Sequence, residues 1–484
     1  MKPFWIVLAA VSGLAAAGGS AEAVAETIRL TLAETIDRAR VSSPSLARLA
    51  ALQTAAEAGL RGARASRLPA LDLGASYTRN SDVPELTIAV PGMEPRTIFP
   101  NIPDNYRTRA ALSLPLYTGG RLEAGVRAAG HDREAAVHDL EGGANDLVLE
   151  ATTAYWRLVT ALETARVLAE AVAAFEAHLK ETRDRQQFGM AARNEALAVQ
   201  VERDRAELQR LLAVNAAQIA NADLVRLTGL PAATRVEPIE PLADPGAPVS
   251  GGGSPGPAGG DAPACSPARQ AGARSDAFRR IGGWGADEQH EQRRLDGLVA
   301  EALVARPEAA ALRSRLAATE ASVRVARSSS LPAAGLSAGY DYARPNTRIL
   351  PPVEEWRGTW TVGVSVSITA FDGGRTAAAV ARASALADAV RHQLEDLERS
   401  IRLEVTSRVL DLGAGHATLE VARRNLEAAR EGVRVSGDRY REGLIPSSEL
   451  LDAETALLRA GLEETEALAQ LRLAQARLTR AVGR

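Results

Sequence analysis

The sequence predicts a mainly α-helical chain with a membrane β-barrel portion, built from a duplicated unit. Three observations carry that fold class. The chain repeats itself: Pro307 and Leu331-Pro332 follow Pro44 and Leu68-Pro69 by 263 residues, and residues 367–375 (Ser-Ile-Thr-Ala-Phe-Asp-Gly-Gly-Arg) follow residues 113–121 (Ser-Leu-Pro-Leu-Tyr-Thr-Gly-Gly-Arg) by 254. The 254-residue offset also carries Phe188-Gly189 through Glu195 onto Glu442-Gly443 through Glu449, so it changes only once, inside a loop. A repeat of this length predicts a pseudo-symmetric object built around an axis. Four segments alternate apolar and polar residues with period two, and long stretches hold a 4-3 apolar spacing. The first pattern belongs to strands, the second to coiled-coil helices.

The bulk numbers narrow the class. A net charge of −3 and a pI near 6.2 leave no basic footprint for nucleic acid. Aromatic residues make up only 4 % of a chain rich in Ala, Leu, Glu and Arg, which favours long helices with small residues at their seams. Cys265 is the single cysteine, so no intrachain disulfide exists.

Residues 1–25 read as a signal peptide: Lys2, an apolar stretch over 4–17, then small residues with cleavage after Ala23 or Ala25. An uncleaved anchor is the alternative. No later run is apolar enough for a membrane helix, so an exported chain that crosses a membrane must do so as strands.

The first repeat spans 26–231. A helix over 44–66 follows cap candidates Ser42 and Ser43 and stops at Leu68-Pro69. A strand over 70–79 sets Leu71, Leu73, Ala75 and Tyr77 against Asp72, Gly74, Ser76 and Thr78. A loop over 81–105 leads to a strand over 106–117, where Tyr106, Thr108, Ala110 and Leu112 oppose Arg107, Arg109 and Ala111. Gly119-Gly120 releases helices over 121–187 and 194–229. In the first, Leu140, Ala144, Leu147, Ala151, Ala154 and Leu158 form a coiled-coil seam. Residues 232–290 form an inter-repeat insert, Gly- and Pro-rich from 244 onward and expected to be disordered.

The second repeat spans 291–484, with helices over 307–330, 375–441 and 447–481 and strands over 333–343 and 356–369. The last strand alternates most cleanly, Trp356, Trp360, Val362, Val364 and Val366 against Arg357, Thr359, Thr361 and Ser365. Each of the two longest helices covers about 100 Å at 1.5 Å per residue. Gly142-Gly143, Gly413 and Gly415 are expected to weaken or bend them.

Roughly ten alternating residues suit a transmembrane barrel strand, apolar toward lipid and polar toward a lumen. Four strands cannot close such a barrel, since about eight are needed, and open edges in lipid leave backbone groups unsatisfied. Several copies, two or three on geometry alone, must therefore share one barrel. Arg107, Arg109 and Arg357 should then face the lumen against Asp72 and Asp341, where they either bias passage toward anions or, as exposed lumen charges commonly do, serve only solvation.

With these pieces assembled, the chain resembles the TolC-like outer-membrane efflux proteins over its whole mature length except the insert. The matching pieces are Leu32-Ala33-Glu34 with Pro44, the Leu-Pro entries, the Gly-Gly-Arg exits, and Arg439-Tyr440-Arg-Glu-Gly443-Leu444 leading to Leu450-Leu451-Asp452-Ala453-Glu454. The resemblance implies a homotrimer with a twelve-stranded barrel in the outer membrane and a periplasmic α-barrel of antiparallel coiled-coil helices. It implies a passive exit duct of a tripartite efflux or type I secretion system, joined by a periplasmic adaptor (a membrane fusion protein) to an inner-membrane transporter. It places the adaptor on the helix-turn tips at Gly189, Met190, Gly443 and Leu444. It also places a periplasmic gate at Glu195, Tyr440, Glu449 and Asp452, although Ile445 stands where some members carry the arginine of that network. Drug efflux, metal-ion efflux and protein secretion share such ducts, and the transporter selects the solute.

Catalysis has no support: the six histidines are scattered, without metal-ligand spacing or a nucleophile motif, and no cofactor is implied. The competing architecture is a periplasmic coiled-coil adaptor or structural protein of an envelope transport assembly, without a barrel of its own. It explains export and long helices but neither the four alternating strands nor the duplication.

Overall fold

A computed structural model describes residues 27–88, 92, 96–244 and 288–484. The signal-peptide reading (1–25) and most of the insert, Cys265 included, lie outside the described residues. The chain divides into two compact units, one holding residues 27–42 and 154–242, the other 43–153 and 243–484.

The first unit contains β1 (Thr27–Leu30), α1 (Leu32–Ser42), the C-terminal half of α3 (Arg121–Gln187), α4 (Arg193–Thr228) and β6 (Arg235–Pro238). Glu34 earns its place in the Leu32-Ala33-Glu34 motif by closing a capping box at the start of α1. Its carboxylate accepts the Thr31 N–H at 2.9 Å while Thr31 Oγ1 accepts the Glu34 N–H at 3.2 Å. The backbone and hydroxyl donors of Thr31 hold this carboxyl below its ordinary pKa. β1 pairs parallel with β6, Ile28 opposite Val236. Tyr155, fully buried beneath this ribbon, donates its hydroxyl to Leu30 O at 3.3 Å and accepts from Glu240 N at 3.2 Å. Burial pushes its phenol pKa up. The beginning of the insert is therefore ordered, because Asn221 bonds both Val236 N (2.8 Å) and Thr234 O (3.0 Å).

The second unit contains α2 (Pro44–Ala65), β2 (Ala70–Arg79), β3 (Leu86–Ile88), β4 (Arg96–Phe99), β5 (Asp104–Tyr117) and the N-terminal half of α3. It continues with α5 (Glu288–Ala305), α6 (Pro307–Arg327), a 3₁₀ turn (Ser328–Ser330), β7 (Ala333–Arg344), β8 (Arg357–Ser367), α7 (Arg375–Arg441) and α8 (Ser447–Val482). Ser43 is the cap of α2, accepting from Leu46 N. β2, β5, β7 and β8 form one antiparallel sheet in that order, open at β2 and β8 within a single chain. The 81–105 loop holds an additional short hairpin, β3 with β4. Asp372 caps α7 through the Thr376 hydroxyl and N–H, which hold its carboxyl below the ordinary range. At the near end of the insert, Asp244 pairs with Arg423 at 3.0 Å. Val299, Ala302, Ala309, Ile401, Val405 and Ala481 form a core where α5, α6, α7 and α8 meet.

α3 and α7 run through Gly142-Gly143, Gly413 and Gly415 without a break. A Cβ on Gly143 collides with Leu49 of α2, and one on Gly415 lies 3.7 Å from the Leu471 Cα of α8. At Gly143 the missing side chain makes room for Leu49, whereas an added Cβ at Gly415 would sit in ordinary contact with Leu471.

The duplication is visible in packing as well as in sequence. Gly229 (φ 67°) ends α4 against Ser42, where an added Cβ falls 2.7 Å from the Ser42 Cβ. Gly483 (φ 90°) ends α8 against Ala305 in the same way, at 3.1 Å. Both offsets, 254 and 263, meet in that one repeated contact.

Candidate functional site

Two features stand out: a sheet with two chemically opposite faces, and two helix-turn tips. The register sets Leu73, Ala110, Tyr340 and Trp360 in one row, and Leu71, Leu112, Ala338 and Val362 in another. These rows share one face, and its large residues are open: Leu73 is 77 % exposed, Trp360 73 % and Val364 67 %. At one end of that face Tyr77, Tyr106, Trp356 and Tyr342 cluster, with ring centroids 5.0 to 6.0 Å apart. An apolar band bordered by aromatic rings is how a strand meets lipid and its interface.

The opposite face carries the rows Gly74, Arg109, Asp341, Thr359 and Ser76, Arg107, Ala343, Arg357. Arg107 donates to Asp341 at 2.9 Å, and Arg109 lies 4.0 Å from the same oxygen. One carboxylate thus serves two guanidinium groups. Arg357 instead pairs with Glu355 at 2.8 Å. Asp72 sits opposite Ala111 and makes no ion pair among the described residues. The five charged positions read from the sequence therefore separate into one cluster and two independent sites.

The tips are built by the same local chemistry twice. At the end of α3, Gly189 takes φ 73° and Met190 N returns to Arg185 O at 2.9 Å. At the end of α7, Gly443 takes φ 77° and Leu444 N returns to Arg439 O at 2.9 Å. These are Schellman-type caps, and the left-handed residue in each is a glycine because any Cβ is strained there. The caps leave apolar side chains standing in solvent: Met190, Leu444 and Phe188, the last 77 % exposed. Phe188 escapes sequence reasoning because an aromatic beside a helix-ending glycine reads as packing.

Glu195 and Glu449 are each the third residue of their helix. Glu195 accepts weakly from Ala192 N (3.4 Å), and Glu449 faces Arg439 at 3.5 Å. Asp452 is exposed one turn along α8. Tyr440 lies inside its own tip, 3 % exposed, in a small core with Ile445 and Leu450. Ile445 packs under the turn against Tyr440.

Among the described residues no His, Cys, Asp or Glu group is arranged to hold a metal ion. His131, His138 and His392 pair with glutamates one helical turn on, whereas His178 is buried. No described helix is long and apolar enough to cross a membrane.

Comparisons with known proteins agree with this geometry. The structure is similar to the outer-membrane channel OprN (TM-score 0.70, 21 % identity, covering 93 % of this chain and 89 % of that one). It is similar to the outer membrane protein VceC of Vibrio cholerae (TM-score 0.70, 18 % identity, 93 % and 96 % covered). The MtrE outer membrane channel of Neisseria gonorrhoeae, in its open state, gives a TM-score of 0.69 at 19 % identity, with 93 % and 88 % covered. At such identities these likenesses establish the fold. No curated protein matches the sequence. The outer membrane efflux protein model matches residues 35–230 and 298–484, which together take in both repeats. The chain belongs to the outer membrane efflux protein family.

Proposed function

We propose that this outer-membrane exit duct works as a homotrimer, three four-stranded sheets closing a twelve-stranded barrel and the long helices forming the periplasmic tunnel. The observation that carries the reading is the open sheet with one continuous, exposed apolar face and two unpaired edge strands. In hydrocarbon the unpaired N–H and C=O groups of β2 and β8 each cost several kcal/mol, and pairing edges between copies removes that cost. Three copies follow from the family; the polar face with Arg107, Arg109 and Asp341 then lines the lumen. No step of chemistry is required, since solute passes through and an inner-membrane transporter drives it. A periplasmic coiled-coil protein without a barrel leaves the apolar sheet face with no role.

Detergent extraction of the outer-membrane fraction tests this directly. Threefold particles, much longer than wide in negative stain, with a mass of three chains by light scattering, are expected. A detergent-independent monomer or dimer rules the barrel out.

The tips complete the reading. The exposed Met190 beside Gly189, and separately the exposed Leu444 beside Gly443, each offer an adaptor hairpin an apolar seat on close-approach backbone. Glu195, Glu449 and Asp452, repeated threefold, gather carboxylates that draw cations toward the entrance. Met190→Asp with Leu444→Asp is expected to abolish adaptor-dependent export while leaving trimers intact, because exposed substitutions cost within about 0.5 kcal/mol. Glu195→Gln with Glu449→Gln and Asp452→Asn is expected to leave docking alone and lower cation preference in planar bilayers. Undiminished export in the first variant, or unchanged ion preference in the second, removes the corresponding role.

A further inference from the structure

Three arginines stand on the polar face of the sheet, and their partners make them chemically unequal. Arg107 donates to Asp341 at 2.9 Å, and Arg357 donates to Glu355 at 2.8 Å. Arg109 lies 4.0 Å from the same Asp341 oxygen, beyond hydrogen-bond distance, and donates no hydrogen bond among the described residues. The Asp341 carboxylate is committed to Arg107 and only 12 % exposed, whereas the Arg109 side chain is 53 % exposed. Two guanidinium groups therefore share one carboxylate, and the unmatched cation is Arg109. Asp72 does not match it: that residue is on β2, while the Arg109 side chain leans the other way, over β7.

The wall around Arg109 is cleared of side chains. Its partner on β2 is Gly74, with open space where a Cβ would stand. On the other side the guanidinium reaches over Gly339 of β7. A Cβ there would lie 3.9 Å from Arg109 Nη2 and 3.1 Å from the Oγ1 of Thr361, the β8 residue paired with Gly339. Glycine inside a strand weakens it and often marks the place where a ligand approaches the backbone. Here two glycines flank the one arginine whose charge is unmatched.

From this we infer that Arg109 and Thr361 form an anion-binding position on the lumen wall, which takes a carboxylate or phosphate group of a passing solute. The guanidinium fork matches two oxygens of such a group, and the Thr361 hydroxyl supplies a further donor from across Gly339. The site rests on the duct reading above and adds to it a solute chemistry. Three copies make a ring of unmatched cations within a low-dielectric wall, which focuses the field and raises the local concentration of anions. Arg357 is the internal contrast: its side chain is also 53 % exposed, but Glu355 matches its charge.

The test uses the full-length protein in planar bilayers, with inorganic phosphate added in KCl on the barrel side and single-channel current as the readout. Native channels are expected to be blocked progressively as phosphate rises. Arg109→Gln is expected to raise the half-blocking concentration about tenfold, the loss of one hydrogen bond between charged groups. Thr361→Val is expected to raise it about threefold, and decides the matter from another strand if Arg109→Gln fails to assemble. Arg357→Gln removes an equally exposed but matched charge and is expected to shift it less than about twofold. A native response in either of the first two variants overturns the site. So does an Arg357→Gln shift as large as that of Arg109→Gln, since wall charge alone then accounts for the block. A conducting native channel that phosphate does not block removes the site and spares the duct. Threefold particles that pass no current overturn the duct itself.

Discussion

Val364→Asp is expected to keep the protein out of the outer membrane, and Ser365→Asp, one residue along, to leave assembly intact. The two positions differ in nothing but the face they occupy. Val364 lies opposite Leu336 and is flanked on its own strand by Val362 and Val366, all on the apolar side. It is 67 % exposed. Successive strand residues point to opposite faces, so Ser365, opposite Gly335, shares the face of Ser337, which the proposed barrel turns to water in its lumen. A carboxylate held in hydrocarbon costs roughly 3 kcal/mol per copy, about a hundredfold in equilibrium, and the proposed trimer incurs it in each copy. A carboxylate on the polar face stays in water and costs little. The assay is the amount of each variant recovered from outer membranes as heat-sensitive trimer. Equal tolerance of both substitutions would sink the assignment of the apolar face to lipid.

That contrast was legible in the sequence because strand periodicity is short and each face has a single environment. Ten residues with period two identify both faces at once, and the Leu-Pro and Gly-Gly-Arg signals mark where the strands begin and end. The long helices were legible for a related reason: the 4-3 row through Leu147, Ala151, Leu158 and Leu168 is buried where the spacing placed it. What escaped depends on contacts distant in sequence. β1 and β6 are four residues each, some two hundred apart, too short to show any period. The glycine at 143 looks like a helix breaker until Leu49 is seen against it. The burial of Tyr440 is another such case, since the turn of Gly443 folds Ile445 and Leu450 over it. In each case the deciding neighbour comes from another element, and local pattern is silent about it.

Arg306 supplies the second large effect, and here the duplication itself sets the control. It stands at the first cap position of α6, where the first repeat has Ser43, 263 residues earlier. Ser43 caps α2 conventionally; Arg306 makes no side-chain cap and turns inward to 3 % exposure. There it donates to Ala481 O at 2.6 Å and pairs with Glu404 at 2.7 Å and Glu308 at 3.3 Å. Glu308 also pairs with Arg480, which reaches Asp146 of α3 at 2.6 Å. One buried guanidinium thereby ties α6 to α7 and α8, and through Glu308 to α3. Arg306→Ala strips that partner from Glu404 and from the Ala481 carbonyl. Removing one member of a buried pair costs about 3–5 kcal/mol, and the partial exposure of Glu404 sets the expectation at about 3. Arg306→Ser installs the residue of the first repeat and restores a conventional cap worth about 1 kcal/mol. The expected order of denaturant midpoints in detergent is therefore native, then serine, then alanine. If alanine matches the native protein, the ionic knot contributes nothing to stability. If serine falls below alanine, the two repeats do not share a cap geometry at this point.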